Sequence, residues 1–174
     1  AQAHRAQGPH VLMKPSAPGI PLSRTSDEIA QVLDLRARRA VDHFTALANG
    51  GPVKTCPVCA YVGRFSPVRS KPGIWCPSCD SRPRHRLFAL WLAGDPAALK
   101  GARVLHFAAE SALSALIRPR AAAYLTADIH DAYDLTIDIT AMTGVADGTF
   151  DAVIANHVLE HVDDAAAMAE MFRI

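Results

Sequence analysis

The chain contains only four cysteines, Cys56, Cys59, Cys76 and Cys79, and their spacing restricts the fold more than any other feature. They form two Cys-x-x-Cys pairs, CPVC and CPSC, with sixteen residues between the pairs. Two intervening residues let both sulfurs of a tight turn face one cation. Two such knuckles, joined by a short hairpin, complete a tetrahedral thiolate site for zinc. Pro57 and Pro77 occupy the same place in each knuckle and pre-set the turn. Two disulfides or a redox dithiol would use the same residues. The spacing fits structural zinc, however, and no secretory segment is visible. The sequence therefore predicts a zinc ribbon over residues 54–82, with Cys56, Cys59, Cys76 and Cys79 as the ligands. Zinc explains a fold without naming an activity.

The 174 residues suffice for one ordinary domain and a small one, and with 50% of them apolar a sizeable core is expected. No uninterrupted apolar run approaches the roughly 18–20 residues that span a membrane. Together with thiolate ligands, which suit a reducing compartment, this makes cytoplasm the expected location and excludes a membrane partner. The chain starts at Ala1 and stops at Ile174 within an expected helix, so both ends look cut. Charge is uneven. Between Lys54 and Arg86 stand seven Lys/Arg against one acid, Asp80, whereas from Arg103 onward eleven acids face four arginines. A basic ribbon attracts anionic partners such as nucleic acid; alternatively, the two halves complement each other within one molecule.

Residues 1–24, rich in Pro, Gly and Ala, read as a flexible lead-in. Residues 25–53 read as a helix, opened by a Thr25-x-x-Glu28 capping box and stopped by Asn49-Gly50-Gly51-Pro52. Pro83-Arg84-His85-Arg86 opens another helix, closed by Gly94-Asp95-Pro96. From there short apolar strands alternate with helices. Strands are expected at Arg103–Phe107, Tyr124–Ala127, Leu135–Ile139 and Phe150–Ala155, and helices at Ser111–Ile117 and from about Asp163. Strands buried on both faces and alternating with helices imply a parallel, doubly wound sheet.

The run Phe150-Asp151-Ala152-Val153-Ile154-Ala155-Asn156-His157-Val158-Leu159-Glu160-His161-Val162 resembles the fourth strand and following turn of class I S-adenosylmethionine-dependent methyltransferases. The upstream order of strand, acid-tipped strand and Asp-bearing strand is similar to theirs. The resemblance implies a Rossmann-like methyltransferase domain over 83–174, carrying the first four strands of the fold and C-terminally incomplete. The fourth strand would then be left at an edge of the sheet. The implied cofactor is S-adenosylmethionine, beside the structural zinc, and the implied activity is methyl transfer to an unidentified acceptor. A zinc-ribbon module that binds nucleic acid or protein on a non-catalytic Rossmann-like scaffold is the alternative. A nicotinamide enzyme is disfavoured, because Gly-x-Gly-x-x-Gly is absent.

Ligands of open α/β sheets bind beyond the carboxyl ends of the strands, where strand order reverses. The resemblance thus assigns the cofactor to Phe107, Ala108, Glu110, Asp128, Asp138, Ile139 and Asn156. The loop after the first strand lacks the family's glycines, and His106 stands where an acid is usual. Glu110 would contact the methionine amino group or cap the helix that follows. Asp128 would accept from the ribose hydroxyls or sit in a solvated turn. Asp138, with the Ile139 N–H, would hold adenine or cap a helix. His157 and His161, beside Glu160, line the acceptor rim as a general base or as structural groups.

Overall fold

The computed structural model describes residues 51–68 and 71–174, together with scattered positions between Ser26 and Ala48, all of them helical. The expected lead-in, most of the helix over 25–53 and Arg69 lie outside the described residues.

The ribbon consists of two short antiparallel hairpins, β1 (Lys54–Thr55) with β2 (Val62–Gly63) and β3 (Ser66–Val68) with β4 (Lys71–Trp75). Its two cysteine turns are built alike. In the first, the Ala60 N–H donates to the Cys56 carbonyl (2.9 Å) and the Cys56 N–H to the Tyr61 carbonyl (2.8 Å). In the second, Asp80 donates to Cys76 (2.9 Å) and Cys76 to Ser81 (3.1 Å). The residue after each second cysteine is left-handed, with φ of 60° at Ala60 and 58° at Asp80. Cys56, Cys76 and Phe65 form the buried centre of the ribbon.

Helix α1 (Pro83–Gly94) leaves the second knuckle directly. Pro83 suits its first turn because the N–H it lacks would have no helical partner. The Arg82 N–H is instead satisfied by His85 Nδ1 at 3.3 Å. The helix buries His85, Ala89 and Leu92, which recur on one face, while Leu87 and Leu90 stay exposed.

The second layer is a parallel sheet of β5 (Arg103–Phe107), β6 (Ala123–Asp128), β7 (Leu135–Thr136) and β8 (Ala152–Ala155), in the order β7-β6-β5-β8. The chain steps outward through β6 and β7, then returns to the other side of β5, so the order reverses between β5 and β8. Side chains of β5 alternate faces as a strand requires. Val104 packs with Leu113 and Ile117 of α2 (Ser111–Ile117), whereas Leu105 and Phe107 pack with Ala167 of α3 (Asp164–Arg173), Met142 and Ile174. Each such fully buried aliphatic side chain contributes roughly 1.5–3 kcal/mol.

Two expected strands are shorter than the sequence implies. β7 ends at Thr136 because the chain turns away: the Ile137 N–H reaches back to the Asp128 carbonyl (2.9 Å), and Asp138 Oδ1 accepts from the Thr140 N–H (2.8 Å). β8 begins at Ala152, since the Phe150 N–H goes to the Ile174 carbonyl (2.7 Å). Asp151 is tied to β5 by its side chain, accepting from the Arg103 N–H, Nε and NH2 at 2.8, 2.9 and 2.8 Å. That fork fixes the entry to β8 against the entry to β5. At the far end of α3, Arg173 donates to the Val145 and Met142 carbonyls and to Asp147 and Glu170, tying the loop before β8 to the helix.

Candidate active site and thiolate centre

The four cysteine sulfurs converge. Cys59 Sγ is 3.6 Å from Cys76 Sγ, and Cys56 Sγ is 3.8 Å from Cys79 Sγ, with all four within 4.8 Å of one another. A disulfide needs about 2 Å. A tetrahedron of sulfurs each about 2.3 Å from zinc has edges of about 3.8 Å, so the donor set fits that ion. The thiol chemistry agrees. Burial pushes the Cys76 thiol up to about 12 and raises Cys79 as well. Burial acts the same way on Cys56, but the Ser81 hydroxyl at 3.3 Å and the N–H groups of Cys59 and Val58 outweigh it and draw the thiol down to about 7. Cys76 and Cys79 are thus disfavoured as thiolates until a cation supplies the opposing charge.

The second candidate site lies at the carboxyl ends of β5, β6 and β8. Phe107 pairs with Ala127 on one side and with Ala155 on the other, so the loops after all three strands emerge together. Two residues of this rim are left-handed, Ala108 at φ 46° and His157 at φ 61°. Strain of this kind clusters at functional sites. The Ala108 N–H donates to the Ala127 carbonyl (2.9 Å), which locks the start of the loop onto β6. Alanine thus occupies a conformation that favours glycine.

The candidate cofactor residues divide by burial. Phe107 and Ile139 are buried in the core, so they offer the crevice only their backbone. Asp128 is half-buried at the end of β6, with Oδ1 accepting from the His130 N–H at 3.1 Å. Asp138 is exposed two residues beyond β7, its Oδ1 also accepting from Thr140 Oγ1 at 2.7 Å. The bonds from Thr140 hold the carboxyl of Asp138 below its ordinary range. Asn156 is half-buried between β8 and His157. His157, Glu160 and His161 are exposed around the turn that follows.

The side chain of Glu110 turns toward α1 rather than capping the helix that follows. It stands at the N-cap of α2 but makes no side-chain cap bond. Its Oε1 lies 3.1 Å from His85 Nε2 and 3.4 Å from Arg84 Nε, both on α1. Its Oε2 lies 3.3 Å from His106 Nε2, off line for a hydrogen bond. Both of those atoms are buried without a hydrogen-bond partner among the described residues. Burial raises the Glu110 carboxyl, but the contact with His106, the charge of His85 and the hydrogen bond from Arg84 prevail and bring it to about 2. Behind it, His106 Nδ1 is 2.8 Å from the Tyr124 hydroxyl, which is 2.8 Å from Ser114 Oγ. Ser114 donates to the Glu110 carbonyl at 3.1 Å. Ser114 has one proton, so Tyr124 donates to it and accepts from His106 Nδ1. This buried network was not visible in the sequence, although the unusual His106 marked its centre.

Residues 97–174 match the family model described as methyltransferase domain. The parallel β7-β6-β5-β8 order of this segment is consistent with part of a Rossmann-like methyltransferase fold. Comparisons with curated proteins and with solved structures gave no significant match. Among the described residues no helix is long and apolar enough to cross a membrane.

Proposed function

We propose that the protein transfers a methyl group from S-adenosylmethionine to an acceptor, and that its ribbon holds one structural zinc through Cys56, Cys59, Cys76 and Cys79. The observation that carries this reading is the switch point between β5 and β8 inside the matched segment, with carboxylates at the end of β6 and beyond β7. Asp128, oriented by the His130 N–H, accepts from the ribose hydroxyls. Asp138 and the Ile139 N–H hold the adenine, and Asn156 borders the methyl-bearing end. His157 and His161 stand on the acceptor side. Glu110 acts as a positioning group: its Oε1 is committed to His85 and Arg84 of α1, and so fixes the loop that floors the crevice. S-adenosylmethionine supplies an electrophilic methyl when bound, and the chain's task is to orient the acceptor toward it.

We further propose that the basic ribbon draws in an anionic acceptor such as a nucleic acid. Lys54 donates to the Gly73 carbonyl and Arg86 to the Ile74 and Ser81 carbonyls, contacts with neutral acceptors that carry no opposing charge. Calorimetric titration with adenosylmethionine, adenosylhomocysteine and NAD tests the cofactor assignment. The first two are expected to bind and NAD is not; the reverse pattern overturns the reading. Replacing Asp128 with Ala removes hydrogen bonds to a charged group, worth roughly 1.5–3 kcal/mol, so adenosylhomocysteine should bind about ten- to hundredfold more weakly. Unchanged affinity would show that the carboxylate serves elsewhere.

A further inference from the structure

The turn after β8 brings together three metal-ligating side chains that methyl transfer does not require as a group. His157, Glu160 and His161 each offer one ligand atom, and these atoms all lie within 4.8 Å of one another. The His-x-x-Glu-His spacing wraps them around a single tight turn, whose core is the 3-10 segment Leu159–His161. His157 is held left-handed, at φ 61°, a conformation that costs a non-glycine residue roughly 1–2 kcal/mol. In it His157 Nδ1 is in contact with Glu160 Oε1, while the His161 ring lies 5.5 Å away, centroid to centroid. An ion pair between His157 and Glu160 accounts for two of these groups. A cation accounts for all three.

We propose that His157, Glu160 and His161 bind a divalent first-row transition-metal ion on the acceptor rim of the domain. Two imidazoles and one carboxylate suit manganese, iron, cobalt, nickel or zinc, whereas calcium and magnesium prefer all-oxygen sets. Three protein ligands on an exposed turn leave coordination positions open toward solvent. Ala155 pairs with Phe107, so this turn emerges at the same end of the sheet as the loop of Ala108. The open positions would then receive an oxygen donor of the methyl acceptor. That last step rests on the methyl-transfer reading, while the metal site itself does not.

The test is a titration of the full chain, already carrying zinc at its cysteines, with Co²⁺ followed by visible absorption. One Co²⁺ per chain is expected to bind with the weak bands of a nitrogen and oxygen site and without thiolate charge transfer. His161→Ala, His157→Ala and Glu160→Gln should each weaken binding at least tenfold, and His130→Ala should not. Absence of Co²⁺ binding beyond the thiolate centre, or equal binding by the three variants, overturns the site. Adenosylhomocysteine titrated into the same samples without Co²⁺ reports the methyl-transfer reading separately. Nucleoside binding without Co²⁺ binding defeats the metal site alone, and Co²⁺ binding without nucleoside binding leaves it standing.

Discussion

Glu110 Oε1 stands 3.1 Å from His85 Nε2, joining the loop after β5 to the helix that leaves the second cysteine knuckle. Through that contact the loop after β5 is braced by the helix that follows the second cysteine knuckle. His85 and Glu110 lie 25 positions apart in the chain, so nothing local in the sequence pairs them.

The pair gives acid sensitivity a defined sign. Burial lowers the pKa of His85 below its ordinary 6.5, against the pull of Glu110, so below that pH the unfolded chain takes up a proton that the fold resists. Glu110 is depressed from 4.5 to about 2, so its contribution is present above pH 4.5 and lost as pH falls toward 2. Stability should therefore decline below about pH 6.5 and again below the usual carboxylate range. Glu110→Gln should lose the lower of these two phases and cost roughly 1.5–3 kcal/mol near neutral pH. Urea denaturation of both proteins across pH measures this; a variant with the wild-type pH profile would remove Glu110 from the account.

The thiolate centre should hold one zinc per chain, since four sulfurs at tetrahedral spacing close the coordination. Cys76→Ser should release the metal. His85→Ala should keep it, because His85 faces Glu110, and should lose stability instead. Elemental analysis of purified proteins distinguishes the two outcomes, and zinc lost from the His85 variant would place that histidine in the metal site.

Much of this fold was legible because its signals are local. The Cys-x-x-Cys spacing, the alternation of apolar strands with helices, and Pro83 and Asp163 at helix starts each act within a few residues. The length of β7 was not legible, since Leu135–Ile139 alternates apolar and polar residues as a strand does, and only the bonds from Ile137 to Asp128 and from Thr140 to Asp138 reveal where the chain leaves the sheet. Nor was the orientation of Glu110. A carboxylate just before a helix reads as a cap, and burial of His106 on the same face as Tyr124 and Ser114 redirects it only in three dimensions. The positions of Asp128 and Asn156 at the sheet's rim followed from the strand pattern, as did the turn of His157, Glu160 and His161.

Ala108 provides a sharper test of the crevice. It is left-handed, with φ 46°, and its N–H is fixed to the Ala127 carbonyl, so the loop cannot relax without breaking that bond. A left-handed alanine costs roughly 1–2 kcal/mol, whereas glycine there would cost about 0.5–1 kcal/mol in lost freedom on folding. Ala108→Gly should therefore stabilise the chain by up to about 1 kcal/mol and leave adenosylhomocysteine affinity intact. A β-branched side chain tolerates this backbone least, so Ala108→Val should cost roughly 1–3 kcal/mol. If the loop floors the crevice, the valine should weaken nucleoside binding by more than the stability loss accounts for. Urea midpoints and calorimetry on the two variants provide both readouts. A glycine variant less stable than the parent would show that the alanine methyl packs usefully, and unchanged binding by the valine variant would move the cofactor away from this loop.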